Sequence, residues 1–115
     1  METTIEVGQS AEDRASHLLV RRGYRIVERN FRCETGELDI VARDGDILCF
    51  VEVRSRADGD HGSAAEAVDR AKQRQVARIA MHYIALRDPD FQRSRFDVVA
   101  ITGDVIELIQ DAWRL

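Results

Sequence analysis

Two short clusters of charged residues carry the clearest chemical signal in this chain. Glu37 and Asp39 stand two residues apart, and so do Glu52, Arg54 and Arg56. A two-residue interval returns a side chain to the same face of a β-strand. Carboxylates presented in this way are hard oxygen ligands for a divalent cation. An arginine beside them stays charged, so it cannot act as a base, but it can grip a phosphate bidentately.

Between the two clusters lies Asp44-Gly45, a strong hairpin signal flanked by β-rich runs at Glu37–Arg43 and Asp46–Arg56. A two-residue turn there pairs Arg43 with Asp46, Val41 with Leu48, Asp39 with Phe50 and Glu37 with Glu52. In that register Glu37, Asp39, Glu52 and Arg54 converge on one surface, while Leu38, Ile40 and Ala42 share the other. Diagonal neighbours roughly 7–8 Å apart are within reach of one shared ion. Facing carboxylates repel, so something must offset them: a bound cation, ion pairs to Arg54 and Arg56, or full solvation of a salt-bridged polar face. Phe50, Val51 and Val53 make the second arm apolar on both sides, which predicts a central strand covered on both faces. Carboxylates in such a place are costly unless paired or functional.

The elements that must position this hairpin follow from periodicity. Residues 8 to 22 read as a helix, with Val7, Ala11, Ala15, Leu18, Leu19 and Arg22 on one side and Gly23 closing it. Residues 24 to 31 alternate as a strand. Residues 64 to 87 read as a long amphipathic helix capped by Ser63, with Glu66 at the third position. At about 100° per residue its inward stripe is Ala65, Val68, Val76, Ile79, Tyr83 and Leu86. Lys72 lies inside that stripe, either snorkelling out along its stem or reaching the carboxylates. Arg70, Arg74 and Arg78 lie on the opposite side. Strands at Phe96–Thr102 and Val105–Ile109 follow, joined at Gly103-Asp104. The order α-β-β-β-α-β-β predicts an α/β fold, a central mixed β-sheet flanked by helices.

The chain has 115 residues, with 44% apolar and 33% charged, which fits one globular domain over residues 1–115. Its net charge of −4 argues against coating DNA by bulk charge, yet is compatible with an acidic catalytic site. No stretch approaches the ~18 apolar residues of a membrane span, and no signal peptide is visible. A reducing cytoplasm with Cys33 and Cys49 as free thiols is the expected setting. His17, His61 and His82 form no metal pair, and no phosphate-binding glycine motif is present.

Several segments together resemble the uncharacterised bacterial family UPF0102, also called YraN-like. They are Gly8-Gln-Ser-Ala-Glu12-Asp-Arg-Ala15, Gly23-Tyr24, Arg29-Asn30-Phe31-Arg32, Gly36-Glu37-Leu38-Asp39-Ile40-Val41, Phe50-Val51-Glu52-Val53-Arg54-Ser55-Arg56, Ala67-Val68, Lys72-Gln73 and Arg95-Phe96-Asp97-Val98-Val99. That family is assigned to the PD-(D/E)XK, restriction-endonuclease-like fold and is similar to Holliday-junction resolvases. The resemblance implies that Asp39 and Glu52 are metal ligands, that the Val53 carbonyl completes the metal shell, and that Glu12 faces the site from the first helix. Arg54 stands where the general nuclease motif has lysine, a departure that this family is similar to others in tolerating; Lys72 on the inward stripe is the candidate to supply the missing ammonium.

The resulting expectation is Mg²⁺- or Mn²⁺-dependent hydrolysis of nucleic-acid phosphodiesters, with branched DNA as the candidate substrate. Asp39, Glu52, Arg54 and Lys72 form the catalytic set. Arg56, Arg70 and Arg74 are candidates for phosphate contacts, although for Arg70 and Arg74 ordinary solvated surface is the weightier reading. Two rivals remain open: a nucleic-acid-binding module of the same fold without chemistry, and a protein-interaction domain. A homodimer is compatible with either.

Overall fold

The computed structural model of the chain describes residues 4–56 and 68–114. Within them the elements are α1 (Thr4–Arg21), β1 (Arg25–Cys33), β2 (Gly36–Asp44), β3 (Ile47–Arg56), α2 (Arg70–Arg87), β4 (Arg93–Thr102) and β5 (Val105–Trp113). The five strands form one sheet in the order β1-β2-β3-β4-β5. Only β3 and β4 run parallel, as the long crossover through α2 requires. This is the expected α/β architecture and element order, that of a restriction-endonuclease-like fold.

The central strand β3 is covered on both faces. Leu48 and Phe50 pack with Val76, Ile79, Ala80 and Tyr83 of α2. Cys49 and Val51 pack with Ala15 and Leu19 of α1. The apolar run of β3 is therefore sandwiched, which is why it shows no polar face until Glu52.

Each helix is ended by its local chemistry. The Gly23 amide donates to the Val20 carbonyl and the Tyr24 amide to the Leu19 carbonyl. With Gly23 at φ +92°, this is a Schellman closure, and Leu19 and Tyr24 share the core beneath it. At α2, Asp69 caps the first turn by accepting from the Lys72 amide at 2.9 Å. An aspartate in this position satisfies an amide that the helix leaves without a partner. The helix therefore starts at Arg70 rather than residue 64; Ser63, Glu66 and Ala65 lie outside the described residues. Leu86 and Arg22 were expected on inward stripes, but both are exposed, Leu86 to 66%. Leu86 lies in the last turn of α2, and Arg22 follows the last residue of α1.

The hairpin turn is displaced by one residue from the expected position. Asp44 pairs with Ile47, so the loop is Gly45-Asp46. Gly45 takes φ +59° at the first central position, the conformation a Gly-X two-residue turn uses and other residues avoid. Arg43 then pairs with Leu48 and Val41 with Phe50. Extending this register past Ile40 and Val51 brings Asp39, not Glu37, alongside Glu52. Alternation also breaks at Asp39. Leu38 packs on the α2 side with its partner Phe31, whereas Ile40 packs on the α1 side. The expected common face of Leu38, Ile40 and Ala42 is thus wrong at Leu38.

Candidate functional site

The break in β2 turns Asp39 toward the end of β3. There its Oδ2 accepts the Val53 amide at 2.8 Å. The N–H and C=O of one strand residue point to the same side, so the Val53 carbonyl also lies toward Asp39. Glu52 is 2% exposed, a carboxylate on the α2 face of the central strand. Its Oε1 has no hydrogen-bond partner. Its Oε2 lies 3.7 Å from Lys72 Nζ, which descends from the first turn of α2. The lysine stem is three-quarters covered and its ammonium meets Glu52, so Lys72 reaches the carboxylates instead of snorkelling away from them.

The electrostatics follow from this crowding. Burial pushes the Glu52 carboxyl up to about 7 and Asp39 adds to the rise, while Lys72 and Arg54 oppose it. Burial also raises Asp39, and Glu37 adds to it; the Val53 amide, Lys72 and Arg54 hold it down. Glu12 on α1 is raised by burial as well, and feels Asp39 and Glu37 as like charges against the pull of Arg29. Arg29 Nε lies 3.7 Å from Glu12 Oε1, and Arg29 Nη2 donates to Asp13 at 2.9 Å.

Direct contacts join Asp39 to Val53 and Glu52 to Lys72, while Arg54 acts by its charge on both carboxyls and Glu12 feels Asp39 from α1. Glu37 is placed differently from the hairpin reading: it pairs across β1 with Arg32 at 3.2 Å. Arg56 follows Glu52 by four residues, roughly 13 Å along the strand, and its Nε has no partner. Arg70 and Arg74 are exposed on α2, as solvated surface would have them.

A second feature escaped the sequence reading. Gln75 donates to the Thr35 carbonyl at 3.0 Å, clamping α2 to the β1–β2 connection one turn beyond Lys72. Gly36 makes this approach possible: a Cβ there would stand 2.8 Å from Gln75 Nε2 and 3.2 Å from Ile79 Cδ1. The signal available in the sequence was a glycine opening a strand opposite a polar residue on an inward helix face.

The donor set suits a small hard cation. Among the described residues no three His, Cys, Asp or Glu side chains are gathered to hold a metal ion. Mg²⁺, however, is commonly held by one or two carboxylates and completes its shell with water and substrate phosphate. Asp39 and Glu52 provide that pair, and the unpartnered Glu52 Oε1 is a buried acceptor waiting for a cation or donor.

A mixed sheet between two helices, with a buried and a half-buried carboxylate where β2 meets β3, defines a restriction-endonuclease-like domain. The chain belongs to the uncharacterised protein family UPF0102, whose model matches residues 11–101. It is similar to a UPF0102 protein of Syntrophus aciditrophicus, 42% identical over 119 residues, spanning all of this chain and 94% of the relative. A UPF0102 protein of Dechloromonas aromatica is 46% identical over 112 residues, 97% of this chain and 92% of the relative. One from Methylibium petroleiphilum is 45% identical over 120 residues, 98% of each chain. Among the described residues no helix is long and apolar enough to cross a membrane.

Proposed function

We propose that this protein is a metal-dependent nuclease that hydrolyses phosphodiester bonds in nucleic acid, with DNA as the substrate and branched DNA as the first candidate. The observation that carries this reading is the buried Glu52 beside Asp39, with Lys72 Nζ 3.7 Å from Glu52 and one carboxylate oxygen unpartnered. A structural ion pair alone would fill its hydrogen bonds, because an unmade one in the interior costs about 1–3 kcal/mol.

Asp39, Glu52 and the Val53 carbonyl would hold Mg²⁺ or Mn²⁺, with Glu12 facing them from α1. The bound metal supplies an activated water and a polarised phosphate oxygen. Arg54 remains cationic and offers its guanidinium to the phosphate. Its Nε is buried without a partner, a donor suited to a phosphate oxygen. Lys72 places an ammonium where charge develops on the phosphate, the role that the general motif gives to its lysine. Arg56 extends this cationic side along β3 and would hold a neighbouring phosphate, a contact that positions nucleic acid without reading sequence.

The test is cleavage of labelled DNA substrates, including a four-way junction, a flap, a duplex and single strands, with Mg²⁺ or Mn²⁺. The Glu52→Gln variant is the control. Metal-dependent cutting that vanishes in the variant establishes the function and selects the substrate. Binding that survives Glu52→Gln, with no cutting under either metal, replaces it with a non-catalytic binding module. Absence of both removes nucleic acid of these types as the partner.

A further inference from the structure

The opposite end of the β3–β4 pair carries a cleft that the carboxylate site does not use. It has a volume of about 720 Å³, and its walls include Ile47, Arg93, Arg95, Gln110, Trp113 and Arg114. Val98 is the β4 neighbour of Glu52; Arg95 and Arg93 precede it by three and five residues, roughly 10–17 Å along the strand. The volume falls in the range of small-molecule sites.

Arg95 is the fixed part of this cleft. It is 15% exposed and donates through Nε and Nη2 to Asp97, through Nη2 to Asp44, and to the Tyr24 hydroxyl. Asp97, fully buried, also accepts from Tyr24 and from the Asp111 amide. This network uses two of the three guanidinium nitrogens and leaves Nη1 without a protein partner among the described residues. Arg114 likewise spends Nε and Nη2 on Asp111 and keeps Nη1. Arg93 is exposed and makes no ion pair among the described residues. Trp113 borders the cleft but is 7% exposed and stacked on Phe96 at 4.9 Å between ring centroids, with its indole Nε1 buried. The cleft therefore holds the free guanidinium edges of three arginines beside one carboxylate, Asp111, whose Oδ2 is taken by Arg114, along a wall that includes Ile47 and Phe96. Such a surface complements an oxyanion joined to a flat apolar body.

We propose that this cleft binds a nucleoside monophosphate, its phosphate on the free edges of Arg93, Arg95 and Arg114 and its base against the half-buried Ile47 and Phe96, with Trp113 stacked beneath Phe96. The unit is either a free nucleotide or the 5′-phosphorylated end of a nucleic-acid strand. The inference goes beyond the nuclease reading and does not depend on cutting.

Trp113 is the only tryptophan in the chain, so its fluorescence and its single indole N–H resonance report on this cleft alone. The protein is titrated with a nucleoside 5′-monophosphate, with inorganic phosphate, and with a single-stranded oligonucleotide carrying or lacking a 5′-phosphate. A nucleotide response that saturates below about 1 mM assigns the site to free nucleotide. A response only to the 5′-phosphorylated oligonucleotide assigns it to strand ends. In either case Arg93→Gln and Arg114→Gln, both at exposed positions, weaken binding about tenfold or more, whereas Glu52→Gln leaves it unchanged. No response to any ligand, a response equal for phosphate and nucleotide, or one untouched by the arginine substitutions overturns the proposal. A Trp113 response in a protein that cuts nothing overturns only the nuclease reading.

Discussion

Lys72 Nζ stands 3.7 Å from Glu52 Oε2, bridging the first turn of α2 to the central strand. The pair joins two elements separated by the whole β3–α2 connection, and it places a lysine beside a motif whose own third position is Arg54. An ammonium thus stands beside the carboxylate of the central strand, delivered by the helix.

The first prediction concerns that delivery. Lys72→Met lowers the cleavage rate about 10²–10³-fold, the usual cost of removing a donor aimed at developing charge. Because Lys72 is partly exposed and lies near the helix start, the fold persists. Placing a lysine on the strand instead, Arg54→Lys in the Lys72→Met background, restores part of the rate. Single-turnover rates on the substrate found by the panel, with circular dichroism to confirm folding, decide it. Equal rates for wild type and Lys72→Met confine Lys72 to a structural ion pair.

How far the sequence reached is clearest at this same site. Strand period alone put Asp39, Glu52 and Arg54 together, and helix period put Lys72 on the inward face. The register was misread because the Asp-Gly signal does not say which two residues form the loop. Gly45 took the positive-φ position, and the turn moved on by one residue. A shift of one loop residue on an antiparallel pair moves partners by two, so the faces survived while the pairing of Glu52 changed from Glu37 to the neighbourhood of Asp39. The break in alternation at Asp39 is a tertiary effect, set by Leu38 following Phe31 to the α2 side. The Asp97 network was also illegible: an aspartate in an apolar strand shows its cost in sequence, but not the Arg95, Tyr24 and Asp111 groups that offset it.

A second prediction follows from the buried carboxyls. Glu52 rises from 4.5 to about 7, so the folded protein holds a proton that the unfolded chain has lost between those values. Folding stability therefore falls as pH rises through this window, by about 3 kcal/mol at most for Glu52. In EDTA, Glu52→Gln is more stable than wild type at pH 8, and the difference shrinks toward pH 5. Adding Mn²⁺ at pH 8 raises the wild-type Tm and leaves the variant unmoved. Parallel Tm profiles for the two proteins across pH 5–8 contradict this.

The buried network at the far end of the sheet gives a third. Asp97 is fully buried and is held by Arg95 Nε at 2.8 Å and by the Tyr24 hydroxyl at 2.7 Å. Arg95→Met strands that carboxylate without its cation, which costs about 3–5 kcal/mol. Replacing both, Arg95→Met with Asp97→Leu, removes the stranded charge and recovers much of the loss. Denaturant unfolding of the two variants reads the difference; equal destabilisation of single and double variants means that the network is not the source.

The last prediction tests whether the helix is placed by contact at Gly36. This residue adopts φ +146°, outside the range comfortable for a side chain, and a Cβ there meets Gln75 Nε2 at 2.8 Å. Gly36→Ala therefore combines backbone strain with a steric push on α2, for a loss of about 1–3 kcal/mol. The push acts where the Gln75 side chain donates to the Thr35 carbonyl, one turn from Lys72, so it moves the ammonium away from Glu52 as well as weakening the fold. The two effects separate by experiment. Gln75→Ala in the Gly36→Ala background removes the closest contact of the methyl, leaving the strain and the 3.2 Å approach of Ile79 Cδ1. If the double variant regains cleavage rate but not stability, α2 is positioned by its approach to Gly36. If the double variant cuts no faster than Gly36→Ala alone, the position of Lys72 does not depend on that contact.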